Sequence, residues 1–379
     1  MKQDRLSKIK AEMQQQQIDC IILFGSRNIY YTSDTAQFSI CLIPLDAEPT
    51  MFIKRNFERG KKESGIKKVL RLNSTEDVIN EIKTLGLDKG KIGIEMNLVR
   101  VNQYLKLTKD LQAAFVDINP LFYKLRSIKD STEIDSFKKS AKAAMKVQKA
   151  CREFLRPGIT ELDVAAEVSR EAKINGSWNP ITNLFWDSNG FVLASGENLY
   201  TPGDYPILSG VGLSNATPRS ASNRLLKEGD IFVLDFATNV EGYHADHART
   251  YFIGKPTPKY IKLYNIVHKA LDHIENQILS GKEIGVLFKE VKQLMGPYQD
   301  YFQGFDDYRQ GLGHGVGLEL DEPPAIIDTN NQKFLDGMVI AFEPKLIIPG
   351  WGAIDFEDSV HVQPSKTEVL TPSPFENYG

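Results

Sequence analysis

Apolar residues recur at helical spacing at Leu6, Ile9 and Met13, and the run Ile18 to Phe24 then reads as a buried strand closed by the turn residues Gly25 and Ser26. Strand-like and helical segments alternate from there to about Pro120, including IGIEM at Ile92 to Met96, which predicts a compact α/β domain over residues 1–127. Residues 128–379 form a second, larger domain. Its first element is a long helix: Asp130 and Glu133 make a capping box, and Ile134, Phe137, Ala141 and Ala144 share one face. Pro157-Gly158 stops that helix and Thr160 with Asp163 starts the next. The segment from Trp178 to Arg219 is rich in Gly, Pro, Asn and Ser and predicts loops and short strands.

One internal repeat stands out. LKEGDIFVLDFA places Asp235 inside an apolar run after Gly229, and LDGMVIAFEP places Glu343 in a similar run after Gly337. Each unit continues through glycine-bearing segments to a second acid, Asp246 and Glu357 respectively. Two related hairpins, each carrying two acids, are the simplest reading.

Composition narrows the function classes. The chain has 379 residues, 41% hydrophobic and 25% charged, which suits a two-domain globular protein. Its 46 Lys plus Arg against 49 Asp plus Glu leave no net field to recruit nucleic acid or an anionic membrane. The polar, lysine-rich start has no apolar leader pattern, and no stretch of ~18 apolar residues occurs, so a cytoplasmic location with no membrane span is expected. Cys20, Cys41 and Cys151 are widely spaced and form no C-x-x-C pair, as expected of core residues in a reducing compartment.

The repeat carries the candidate chemistry. An ionised carboxylate in IFVLDFA or VIAFEP costs several kcal/mol to bury without a compensating charge, so a cation belongs beside Asp235 and Glu343. One acid in a strand is usually a salt-bridge partner; four in duplicated geometry point to metal. Together with His314 in GLGHGVGLEL, whose flanking glycines suggest backbone held close to something bulky, they form a mostly oxygen donor set. Such a set suits Mn, Fe, Co or Zn, and acids able to bridge fit two divalent ions about 3.5 to 4 Å apart.

LLKEGDIFVLDFATNVEGYHADHARTYFIG, GLGHGVGLELDEPP and DGMVIAFEPKLIIPGWGAIDFEDSVHV resemble, in order, the three signature blocks of the pita-bread metallopeptidases, which include aminopeptidase P, prolidase and creatinase. IDCIILFGSRNIYYTSD resembles the opening of the creatinase-type N-terminal domain. The resemblance implies an α+β chain: a C-terminal pita-bread domain behind a smaller α/β domain, assembled as a homodimer. It places Asp235, Asp246, His314, Glu343 and Glu357 on the five metal-ligand positions. It also makes Glu343 the proton shuttle for a water that attacks an amide bond.

The sequence departs from the pattern where relatives carry outer histidines. Arg219 or a neighbour replaces one, Gln310 stands four residues before His314, Asp321 stands where histidine is usual, and Asp355 replaces the usual arginine near Glu357. His244 and His247 flank Asp246, with His247 expected on the opposite strand face, while His268 and His273 fall in a helical pattern. Arg219, Gln310, Asp321 and Asp355 are therefore candidate substrate-binding residues, Arg219 offering a fork for a carboxylate and the two acids a seat for a cationic group. Three functions follow: a hydrolase of Xaa-Pro peptides, a hydrolase or lyase of a small zwitterionic metabolite, and a non-catalytic binding module.

Overall fold

The computed structural model describes residues 2–178, 191–201, 208–305, 308–372 and 374–376. Part of the Trp178 to Arg219 segment lies outside the described residues. The chain divides into two compact units, Met1–Arg126 and Ser127–Gly379. Among the described residues no helix is long and apolar enough to cross a membrane.

The first unit is a six-stranded mixed sheet built from β1 (Cys20–Leu23), β2 (Ser39–Pro44), β3 (Thr50–Ile53), β4 (Lys68–Arg71), β5 (Lys91–Ile94) and β6 (Ala114–Asp117), in the order β4-β3-β2-β1-β5-β6. Cys20, Ile22, Leu42, Phe52, Ile92 and Ile94 pack with Val78, Ile79 and Ile82 of the helix Thr75–Thr84 and Leu107 of the helix Val101–Asp110. The N-terminal helix, Lys2–Gln15, buries Ile9 and Met13 completely. All three cysteines are buried and unbridged.

The second unit opens with the helix Ser131–Phe154. The Asp130 carboxylate accepts the Glu133 N–H at 3.0 Å, and the Glu133 carboxylate accepts the Asp130 N–H at 2.9 Å. Ile134, Phe137, Ala141 and Ala144 are buried along its inner face. The helix Glu161–Ile174 follows under an equivalent Thr160 and Asp163 box.

Its strands are β7 (Phe191–Ser195), β8 (Ile231–Val240), β9 (Tyr243–Phe252), β10 (Gly304–Phe305), β11 (Tyr308–Arg309), β12 (Gly313–Gly315), β13 (Glu322–Ala325), β14 (Val339–Phe342), β15 (Lys345–Ile348), β16 (Gly352–Asp355), β17 (Glu357–His361) and β18 (Glu368–Val369). The main sheet runs β13-β12-β14-β17-β9-β8-β7, with β18 on β17; β15 and β16 form a separate two-stranded ribbon. Alternation along β8 sends Phe232, Leu234 and Phe236 into a core with Ala144, Val147, Val164 and Val168 of the two helices. Ile231, Val233, Asp235 and Ala237 therefore face the other way.

The repeat resolves into two related pairings. β8 and β9 form a simple antiparallel hairpin carrying Asp235 and Asp246. β14 and β17 also pair antiparallel, but the β15-β16 ribbon is inserted between them.

Candidate metal centre and active site

Strand register assembles the five predicted ligands. Asp235 of β8 pairs Ala248 of β9, and Ala248 pairs Glu357 of β17. The β14-β17 register, carried one residue past the Phe342 and Asp358 pair, sets Glu343 opposite Glu357. In the adjacent row Ala237 pairs Asp246, and the Ser359 hydroxyl bonds both the N–H and the carbonyl of Asp246 at 2.9 Å. Ser359 in turn pairs Ala341, and Ala341 pairs His314 of β12. Directly paired residues, and residues two apart in a strand, share a sheet face. All five groups thus project from one face in two neighbouring rows. The intervening row positions are Ala237, Ala248, Ala341 and Ser359, small enough to leave room between the acids.

These side chains open into one cavity of about 310 Å³, lined by Asp235, Asp246, His314, Glu343 and Glu357 together with Arg219, Gln310 and Asp321. Of the nine residues expected in the site, only Asp355 is absent from this lining. It is fully buried, and its carboxylate lies 3.4 Å from the Lys345 ammonium. Asp355 and Lys345 are direct cross-strand partners on β16 and β15. The expected substrate contact at Asp355 is therefore corrected: the acid belongs to a buried ion pair out of a substrate's reach.

Lys345 is the residue that sequence reasoning missed. Its Nζ lies 2.5 Å from Glu343 Oε2 and 3.2 Å from Gln310 Oε1, as well as beside Asp355. Gln303 braces the turn that carries it, accepting the Lys345 N–H at 2.7 Å and donating to the Glu343 carbonyl at 3.1 Å.

His314 Nδ1 lies 3.1 Å from the Gly315 carbonyl, which can only accept, so Nδ1 carries hydrogen and Nε2 is turned to the acids. Nε2 is 2.9 Å from Asp321 Oδ1 and 3.6 Å from Asp246 Oδ2. The glycines around His314 are needed for close strand approach and not for a ligand. A Cβ at Gly313 would sit 1.9 Å from the Ala341 carbonyl oxygen, and one at Gly315 would sit 2.4 Å from that of Pro323.

The electrostatics are those of an anionic pocket short of positive charge. Burial pushes Asp235 up to about 6 despite the opposing Lys345 charge, and burial with neighbouring acids raises Asp246 and Glu357 well above the usual carboxylate range. Burial disfavours a charged His314, but the carboxylates of Asp321, Asp246 and Glu343 outweigh it and push the ring up to about 10. A divalent cation satisfies this set. Asp246, His314 and Glu357 offer ligand atoms all within 4.8 Å of one another, and the oxygen-rich donors match a hard or borderline ion.

The other histidines stay out of the cavity. His247 lies on the opposite sheet face, as the alternation requires, edge-on to Phe236 at 5.6 Å and with Nδ1 3.2 Å from Asp358. His244 is buried between Asn239 and the Gly317 carbonyl. Among the described residues lining the cavity, His314 is the one histidine.

Residues 135–364 match the profile of metallopeptidase family M24. The chain belongs to metallopeptidase family M24. Residues 5–128 match the creatinase/prolidase N-terminal domain that accompanies it. The M24 chain is 28% identical to an Xaa-Pro dipeptidase of Pyrococcus furiosus over 375 residues, 97% of each protein. Its fold is similar to an Xaa-Pro dipeptidase from Bacillus anthracis, at a TM-score of 0.86, 25% identity and 99% coverage of both chains. It is also similar to the prolidase from Pyrococcus horikoshii, at a TM-score of 0.83, 25% identity and coverage of 98% and 99%. The fold is the pita-bread α+β architecture with its separate N-terminal domain, and M24 enzymes are hydrolases that depend on divalent metal.

Proposed function

We propose that this M24 chain is an Xaa-Pro dipeptidase. The observation that carries the reading is the convergence, in one cavity, of five candidate ligands with a guanidinium and an acid of opposite charge. Relatives matched along nearly their whole length, and named Xaa-Pro dipeptidases, support it over the small-metabolite and binding-module readings.

In this reading Asp235, Asp246, His314, Glu343 and Glu357 hold divalent metal, with Mn, Fe, Co and Zn all compatible with the donors. Bound metal supplies Lewis acidity to the scissile carbonyl and to the attacking water. Glu343 Oε2 is engaged by Lys345, which leaves Oε1 to accept the water proton and pass it to the proline nitrogen as the bond breaks. Arg219 receives the C-terminal carboxylate of the dipeptide as a fork, and Asp321 receives its N-terminal ammonium. A pocket with both signs across ~310 Å³ fits a dipeptide zwitterion better than a longer chain. A homodimer in the cytoplasm completes the proposal, and sedimentation velocity tests the dimer.

The enzymatic test is a panel of Xaa-Pro dipeptides and tripeptides with added Mn, Co or Zn. Hydrolysis of dipeptides in preference to tripeptides is expected. No turnover in any combination overturns the reading.

A further inference from the structure

Lys345 supplies at Glu343 the positive charge that a carboxylate inside an apolar run calls for. Its ammonium has three donors and three acceptors around it: Glu343 Oε2 at 2.5 Å, Gln310 Oε1 at 3.2 Å and Asp355 Oδ2 at 3.4 Å. The residue is 2% exposed, so the charge cannot withdraw to solvent. Nor can the backbone move it away easily. The Lys345 N–H is held by Gln303, and the β15-β16 ribbon fixes Lys345 opposite Asp355.

A carboxylate that bridges two ions must commit one oxygen to each. Glu343 has already given Oε2 to the ammonium. The acids therefore fall into two sets. Asp246 and Glu357, with His314, bring their ligand atoms within 4.8 Å of one another; Asp235 and Glu343 are not part of that group, and Glu343 is bonded to the lysine. A divalent ion placed between Asp235 and Glu343 would have to break the Lys345 hydrogen bond and then sit against an unscreened ammonium.

We propose that Lys345 replaces one of the two metal ions, so that the chain binds a single divalent ion tightly, on Asp246, His314 and Glu357. This rests on the metal-enzyme reading above, narrows its five ligands to these three, and replaces the two-ion expectation drawn from the sequence. Lys345 is a positioning residue here: it orients Glu343 and balances its charge without lining the cavity.

The test is metal stoichiometry, read independently of turnover. Wild-type protein purified without chelator and then dialysed against Mn²⁺ is compared with Lys345→Arg, Lys345→Met and the double variant Lys345→Met/Asp355→Asn. The double variant removes the acid that the single change would strand, and thermal melting checks that each protein folds. Elemental analysis is expected to give one Mn²⁺ per chain in the wild type and Lys345→Arg. The folded charge-free variant should hold two, with a spin-coupled dinuclear signal in electron paramagnetic resonance in place of an isolated six-line spectrum. Two tightly held ions in the wild type, or one in the charge-free variant, overturns the inference and leaves the metal-enzyme reading standing. No bound ion in any of the four proteins overturns both.

Discussion

His314 Nε2 stands 3.6 Å from Asp246 Oδ2, although two strands, β14 and β17, separate β12 from β9 in the sheet. The small residues Ala341 and Ser359 along the shared row leave the space in which the two groups meet. If both hold the ion, His314→Ala should lower bound metal and reduce kcat/KM by roughly 100-fold or more, since even outer partners of a ligand carry 10- to 100-fold effects. Elemental analysis beside kinetics checks this; full metal content in the folded variant would remove His314 from the ligand set.

The charge on His314 sets a pH dependence for metal uptake. In the metal-free chain the ring is pushed up to about 10, so below that pH an incoming ion must displace its proton. Apparent Mn²⁺ affinity should rise at least about tenfold per pH unit between roughly pH 6.5 and 9, with proton release measurable by calorimetry in buffers of different ionisation enthalpy. The same shift works on stability with a defined sign. A raised histidine stabilises the metal-free fold below about pH 6.5, and that contribution is lost as pH rises through about 10. Asp235, raised by burial to about 6, costs stability as pH rises from about 4 through 6. The melting temperature of the chelator-treated protein should therefore fall as pH rises. Asp321→Asn removes the strongest attraction holding the His314 proton and should strengthen Mn²⁺ binding near neutral pH.

Gly313 is fixed by its neighbours. Its φ of +146° and the Ala341 oxygen 1.9 Å from a hypothetical Cβ leave no room for a side chain. Gly313→Ala should cost roughly 3 kcal/mol or more, as other severe steric and backbone conflicts do, and should displace His314. Denaturant unfolding with metal analysis reads both effects; wild-type stability would contradict the packing described.

Arg219 separates substrate grip from chemistry. Loss of a charged hydrogen bond is worth about 1.5 to 3 kcal/mol, so Arg219→Ala should raise KM for a dipeptide roughly 10- to 100-fold with a smaller change in kcat. Blocking the peptide carboxylate as an amide should impose a similar penalty on the wild type and little further penalty on the variant.

Much of this site was legible in the chain because acids inside apolar runs demand a counter-charge. Asp235 and Glu343 announce themselves in that way, and the capping boxes at Asp130 and Thr160 mark helix starts by local hydrogen bonding that needs no tertiary context. Lys345 was illegible for the opposite reason. A lysine after Glu343-Pro344 reads as an ordinary surface charge until the β15-β16 register sets it against Asp355. Asp355, read as an open substrate contact, changes meaning with it. The glycines beside His314 showed that something must approach closely, but only the sheet order identifies that neighbour as the backbone of β14 and β13.

The most direct measurement is hydrolysis of Ala-Pro by protein stripped with chelator and then resupplied with Mn²⁺. The proposed function predicts no turnover when stripped, recovery on adding the ion, and no recovery in folded Asp246→Asn or His314→Ala. Turnover that persists in the metal-free chain, or its absence under every metal tried, would contradict a metal-dependent dipeptidase.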